Sequence, residues 1–94
     1  MFKSKYVRST FRQVKREEFE KLIQREMSVL EYEAKFVELS RYAGGLVATE
    51  EEKARKFEKG LRPEIREKIF MLRLPSLAEV VDRAFWVEKE TLEI

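Results

Sequence analysis

Four motifs of the form Ser/Thr-x-x-Glu/Gln occur in this 94-residue chain, and each precedes a run of apolar residues at helical spacing. In such a capping box, the hydroxyl and the Glu or Gln side chain bond the free N–H groups of a helix's first turn. The four boxes begin at Thr10, Ser28, Thr49 and Ser76. Because each box coincides with a separate apolar stripe, the sequence predicts a helix beginning near each of these positions.

The breakers between these stripes predict where the helices end. Gly44 with Gly45 stops one helix and Gly60 another, while Pro63 is placed to open a short helix and Pro75 interrupts the chain before the last one. The predicted helices cover residues 10–24 (with a weaker turn at 2–7), 28–43, 49–60, 63–72 and 76 onwards. No stretch alternates with period two. We therefore predict an all-α fold, a compact bundle of about five short helices in a single domain, residues 1–94.

Each predicted helix carries one apolar stripe, and we expect these stripes to supply the core, although adjacent large residues such as Phe85 with Trp86 and Ile69 with Phe70 cannot all face inward. The stripes are Phe11, Val14, Phe19, Leu22 and Ile23; Val29, Tyr32, Phe36, Leu39 and Ala43; Ala54, Phe57 and Leu61; Ile65, Ile69, Phe70 and Leu72; and Leu77, Val80, Val81, Ala84, Phe85 and Val87.

Cysteine and histidine are absent from the chain. Zinc knuckles, thiol nucleophiles and imidazole bases are therefore excluded, and no phosphate-binding glycine loop or nucleophile elbow occurs. We expect neither an enzyme, nor a cofactor, nor a metal site. No apolar run approaches the roughly 20 residues that span a membrane, so we expect no membrane partner.

The positive charge is concentrated in the first quarter of the chain. Residues 1–25 carry eight basic and three acidic groups, whereas residues 26–94 carry twelve basic and fifteen acidic groups. Arg8, Arg12, Lys15 and Arg16 are the candidates for a nucleic-acid contact. The alternative is an ordinary solvated helix face, on which lysines and arginines lie beside glutamates.

Motifs in the middle of the chain carry a family resemblance. They are EFEKLIQREMSVLEYEAKFVELSRYA (residues 18–43) and KFEKGLRPEIREKI (residues 56–69), accompanied by Phe2, Lys5 and Tyr6 at the start, by Leu46 and Val47, and by Ala84 with Glu88 near the end. Together they resemble, in order and spacing, the Gag protein of gypsy-type long-terminal-repeat retrotransposons, especially the plant members. The resemblance covers nearly the whole chain.

This resemblance implies a fold and a function. The fold is that of the C-terminal lobe of the retroelement capsid, which is related to the C-terminal domain of retroviral capsids. Residues 24–39 look like the counterpart of the retroviral major homology region, which supports lattice assembly. We call them the homology-like segment, and its marker residues are Gln24, Glu31, Tyr32, Phe36 and Leu39.

Three positions depart from the family pattern. Arg25 stands where the family usually has glycine, which makes a close backbone approach less favourable there. Val7 and Arg8 replace a common Phe-Pro pair, and Gly44 with Gly45 replaces Ala-Pro. The family also has an N-terminal capsid lobe and a nucleocapsid segment, so we expect a longer parent polyprotein and a frayed end at residues 1–8.

The predicted function is structural self-assembly within a cytoplasmic virus-like particle, with a second copy of the chain as the partner in a homodimer or a higher capsid assembly. The interface candidates are large apolar residues away from the central stripes: Tyr42, Phe70, Leu74, Phe85 and Trp86. Two alternatives remain. One is a domesticated adaptor that binds other proteins, and the other is an RNA contact through the basic N-terminal segment. In the family, RNA belongs mainly to the nucleocapsid, so we do not expect RNA binding by this lobe alone.

Overall fold

Five α-helices build the part of the chain that the structure describes. The structure is a computed structural model that describes the backbone of residues 4–43 and 47–92 and the side chains of residues 10–43 and 47–90. The helices are α1 (Ser4–Lys21), α2 (Val29–Ser40), α3 (Glu50–Gly60), α4 (Pro63–Ile69), which continues into a 3-10 turn (Phe70–Leu72), and α5 (Leu77–Leu92). No strand occurs in these ranges, which confirms the predicted all-α bundle.

Two of the four predicted capping boxes are complete. At α2, Glu31 N donates to Ser28 Oγ (3.1 Å) and Ser28 N donates to Glu31 Oε1 (2.9 Å). At α3, Thr49 and Glu52 make the same reciprocal pair, with both bonds at 3.0 Å. Pro63 is the first residue of α4, as predicted. These starts were predictable because every partner lies within four residues of the others.

The other two boxes differ from the prediction. At α5, Glu79 N donates to Ser76 Oγ over 3.4 Å, but the hydroxyl of Ser76, not its backbone N–H, donates to Glu79 Oε2 (3.1 Å). The predicted box at Thr10 is wrong, because α1 begins at Ser4 and Thr10 lies inside it. The predicted stop at Gly44 and Gly45, together with Leu46, Phe2 and residues 1–3 of the predicted frayed end, lies outside the described residues.

An aromatic cluster fills the centre of the bundle. Phe19 of α1 contacts Phe36 of α2 edge to face at 5.0 Å, and Tyr32 stacks on Phe57 of α3 at 4.4 Å. Phe36 also meets Phe57 edge to face at 5.3 Å. The remaining buried apolar residues are Val29, Leu39, Ala43, Val47, Ala54, Leu61, Ile65, Ile69, Val80, Ala84 and Val87. The predicted stripes of α2 and α3 are thus fully buried.

Helix α1 buries much less of its stripe than the sequence predicts. Phe19 is fully buried and Leu22 packs partly against the core, but Phe11, Val14 and Ile23 are exposed. Helix α1 packs mainly on α2, whereas α5 packs against α2, α3 and α4. An 18-residue helix is about 27 Å long, and the molecule measures 55 × 27 × 16 Å. With one main neighbour, α1 lacks the surroundings that would cover its whole stripe.

Helix α3 ends at Gly60, where the backbone passes close to Tyr32. Tyr32 Oη donates to Phe57 O (3.0 Å), and burial raises the pKa of this phenol. A Cβ at Gly60 would overlap Tyr32 Oη and lie 3.0 Å from Leu22 O. Close packing against Tyr32 therefore requires a residue without a side chain at position 60.

We predict that Gly60→Ala lowers the free energy of unfolding by about 2 kcal/mol, because overpacking displaces the Tyr32 ring. Tyr32→Phe removes the overlapped hydroxyl, so the double variant should be less destabilised than the two single changes added together. Urea unfolding of all four proteins measures this coupling. Additive losses would show that the phenol is not the obstacle.

Candidate functional site

Gln24 is completely buried in the loop between α1 and α2, where it bonds to two other parts of the chain. Its Nε2 donates to Met27 O (2.9 Å), and its Oε1 accepts from Arg62 N (3.0 Å). Its backbone N–H donates to Gly60 O (2.8 Å). A buried amide needs such partners. The α1–α2 loop is thereby attached to the junction between α3 and α4.

Glu88 attaches α5 to the same place. Its Oε2 accepts from Val29 N (3.1 Å), from Arg62 Nη2 (3.3 Å) and from Gln24 Nε2 (3.5 Å). Val29 is the first residue of α2, so the carboxylate lies at the positive end of that helix dipole. We call Gln24, Arg62 and Glu88 the Gln24 cluster. It joins the start of α2, the start of α4 and the last turns of α5.

Arg62 completes the cluster from the other side of the loop. Its Nη1 donates to Arg25 O (3.2 Å) and lies 3.5 Å from Met27 O, while its Nε is 3.5 Å from Glu64 Oε2. The Nε contact is an ion pair without an aligned N–H bond. Because Gln24 Oε1 and Glu88 Oε2 accept from donors on other parts of the chain, the cluster holds the helix ends in fixed positions.

The homology-like segment is thus held at both ends. Gln24 anchors its start, Glu31 caps α2, and Tyr32, Phe36 and Leu39 are buried in the core. The structure therefore brings all five marker residues into one framework. Sequence reasoning had no local signal for the role of Arg62 in the cluster, because its partners Gln24 and Glu88 lie 26 or more residues away.

We predict that Glu88→Ala lowers the free energy of unfolding by about 2–3 kcal/mol, because it leaves an amide, a backbone N–H and a guanidinium without their shared acceptor. Glu88→Gln retains an oxygen acceptor and should cost less. Glu90 is an exposed glutamate of the same helix. Glu90→Ala is therefore the matched control and should hardly change the free energy of unfolding. Urea unfolding is the measurement, and equal losses at residues 88 and 90 would contradict the structural role.

Arg25 adopts a left-handed backbone conformation, with φ at 50°. This conformation costs most residues about 1–2 kcal/mol and costs glycine almost nothing. The resemblance places a glycine in most family members at this position. The loop therefore takes a geometry that suits glycine even though an arginine stands there, and its carbonyl accepts the bond from Arg62.

Arg25→Gly should raise the free energy of unfolding by about 0.5–1 kcal/mol. The backbone strain that glycine relieves in the folded state is larger than the entropic cost of ordering a more flexible unfolded chain. Arg25→Ala is the matched control, because it removes the same side chain but keeps a Cβ. The midpoint of urea unfolding should rise for glycine alone. An equal rise for alanine would assign the effect to the side chain instead.

Several large apolar side chains lie outside the core. Phe70, Met71 and Leu72 of the 3-10 turn are 49%, 78% and 48% exposed, and Trp86 is 54% exposed. Phe70 also lines a cleft of about 340 Å³ with Arg55, Glu58, Lys59, Arg66 and Glu67. Ile65 and Ile69 fill the core side of α4, and the side chains of Phe70 and Leu72 lie outside the core.

The other interface candidates are partly covered. Leu74 and Phe85 pack against the core edge, and Phe85 meets Trp86 edge to face at 5.4 Å. Tyr42 is half-buried and contacts Phe11 edge to face at 5.8 Å. Phe70 and Trp86 are thus the most accessible of the five predicted interface residues.

A partly buried ion pair holds the chain beside this apolar surface. Arg55 Nη1 lies 3.2 Å from Glu58 Oε2, and Arg55 Nη2 donates to Leu74 O. Burial raises the pKa of the Glu58 carboxyl, and the nearby Arg55 guanidinium opposes that rise. The pair therefore links α3 to the segment between the 3-10 turn and α5.

The predicted nucleic-acid residues separate into two groups. Arg12 and Arg16 line one cleft together with Arg41 and Tyr42. Lys15 lies elsewhere, 3.6 Å from Glu18 Oε1 and 5.5 Å from the centre of the Phe11 ring. The Arg8 side chain lies outside the described residues. Sequence analysis missed Arg41, because it follows α2 and only the packing of α1 on α2 brings it to Arg12 and Arg16.

Within the described ranges, no group of three or more acidic side chains could hold a metal ion. No helix in those ranges is long and apolar enough to cross a membrane. No family model matches the sequence, and the comparisons with curated proteins and with solved structures also found no match.

Proposed function

We propose that the chain is a structural self-assembly lobe of a retrotransposon Gag capsid, and that copies of it associate inside a cytoplasmic virus-like particle. The observation that carries this proposal is the exposure of Phe70, Met71, Leu72 and Trp86 next to a core that is already filled. Large apolar residues outside a core are typical centres of protein–protein contacts.

The physical cost of this surface supports a partner. The three consecutive apolar side chains of the 3-10 turn expose hydrocarbon to water. The free-energy cost of this exposure is about 25 cal/mol per Å². Association of two copies removes that cost, and two-fold symmetry uses the same patch twice. Many weak contacts of this kind add up strongly in a shell of many copies.

The internal framework supports the same proposal. The Gln24 cluster and the Arg55–Glu58 pair hold the loops on either side of α4 to neighbouring helices. A lobe that repeats in a lattice needs surfaces of fixed shape, because ordering them at each contact would reduce affinity. The family resemblance of residues 18–43 and 56–69 is the reason for proposing that the assembly is a capsid.

Sedimentation velocity over a wide concentration range tests the proposal. We expect the wild-type chain to form dimers or larger species as its concentration rises. The Phe70→Ala/Trp86→Ala variant should need at least about 30-fold more protein to reach the same degree of association, because it lacks the hot spot. Val14→Ala, which trims an exposed apolar residue of α1, is the matched control and should associate like the wild type.

Two results would contradict the proposal in different ways. Unchanged association of the double variant would show that these residues are not the interface. A wild-type chain that stays monomeric at high concentration would overturn self-assembly and favour the domesticated adaptor, in which another protein covers this surface.

A further inference from the structure

A cleft at the junction of α1 and the end of α2 is lined by three arginines and a tyrosine. Among the described side chains these are Arg12, Arg16, Arg41 and Tyr42, and the cleft encloses about 500 Å³. Arg12 and Arg16 are four residues apart on α1, so their side chains lie on the same face of the helix. Arg41 immediately follows α2. No carboxylate is among the described residues that line this cleft.

Three arginines elsewhere in the fold have acceptors of their own. Arg55 and Arg62 ion-pair with glutamates, and Arg66 Nη1 donates to Lys59 O. Within the described part of the chain, no ion pair to a carboxylate forms at Arg12, Arg16 or Arg41. Three convergent guanidinium groups without a counter-charge produce a positive potential that attracts anions.

The carboxylates of α1 act on other groups. Gln13 Nε2 donates to Glu17 Oε2 (3.4 Å), and Glu18 pairs with Lys15. Burial lowers the pKa of Lys56, and the Glu20 carboxylate opposes that effect. Of the three acids in residues 1–25, only Glu18 is ion-paired, and none of the three is among the described residues that line the arginine-lined cleft.

One aromatic ring lines the charged cleft, and a second packs against it. Tyr42 lines it and is only half-buried, and the exposed Phe11 ring meets Tyr42 edge to face. Arginines that follow a phosphate backbone, together with aromatic rings on which bases stack, are the combination that binds single-stranded nucleic acid. A compact phosphate would use the arginines but not the rings.

We propose that this cleft, the arginine cleft, binds a short segment of single-stranded RNA, with phosphates on Arg12, Arg16 and Arg41 and a base against Tyr42. The cleft shares no described lining residue with the 3-10 turn or Trp86, which carry the proposed self-assembly, although Tyr42 is one of the interface candidates from the sequence. The proposal reverses the expectation that this lobe alone does not bind RNA. It extends the sequence-based candidates Arg12 and Arg16 by two residues that follow α2.

Fluorescence polarisation with a labelled 12-nucleotide oligouridylate tests the site on the 94-residue chain. Arg12→Gln, Arg16→Gln and Arg41→Gln should each weaken binding roughly two- to fivefold. Each should also reduce the magnitude of the slope of log K against log salt concentration by about 0.7, the value for one phosphate contact on a single strand. Tyr42→Leu should weaken binding about fivefold, whereas Tyr42→Phe should bind like the wild type.

Arg83→Gln is the matched control, because it removes the same charge from a cleft that Glu79 and Asp82 also line. It should leave both the affinity and the salt slope almost unchanged. Circular dichroism and urea unfolding should show that each variant retains the wild-type fold, so that a loss of binding reports on the cleft.

Three outcomes would overturn the site. Absence of oligouridylate binding at low salt would do so directly. An equal loss with Arg83→Gln would assign binding to diffuse net charge. The third outcome has two parts: inorganic pyrophosphate, at an equal concentration of phosphate groups, displaces the oligonucleotide, and Tyr42→Leu has no effect. Together they would show that the cleft binds a compact phosphate and not a nucleic-acid strand.

Discussion

The arrangement of the helices depends on one buried carboxylate and the three donors that share it. Glu88 comes from the last helix, yet its Oε2 accepts from the first N–H of α2, from the Gln24 amide and from the Arg62 guanidinium. The penalty for burying a charge is large unless such partners surround it. Four separate parts of the chain must therefore be in place before Glu88 can be buried. This requirement makes the helix ends interdependent and gives them a fixed relative position.

The aromatic core and this polar cluster act together. Phe19, Phe36 and Phe57 form a packed centre, with Tyr32 stacked on Phe57 and bonded to its carbonyl. Gly60 lies against that phenol and its carbonyl accepts from Gln24 N. The same glycine thus connects the apolar centre to the polar cluster. Apolar burial supplies most of the free energy, and the directional bonds select one arrangement of the helices.

Two areas of the described surface differ chemically from each other. The 3-10 turn after α4 exposes three consecutive apolar side chains, while the junction of α1 and α2 exposes three arginines beside Tyr42. Apolar contacts between copies are little affected by salt, whereas phosphate contacts weaken steeply as salt rises. Under the two proposals, contacts between copies and contacts with nucleic acid would use separate areas of the surface.

The sequence by itself determined the helical class, the starts of α2, α3 and α4, and most of the buried stripes of α2, α3 and α5. These follow from groups within a few residues of one another, such as Ser28 with Glu31, so local chemistry is sufficient. Only the tertiary structure decided that α1 begins before Thr10 and leaves Phe11 and Val14 exposed, because its packing partner determines which side is covered. The tertiary structure alone also placed Arg41 beside Arg12 and Arg16, and Glu88 beside Gln24. Those groups are 25 to 64 residues apart in the chain, and no local pattern specifies which of them meet.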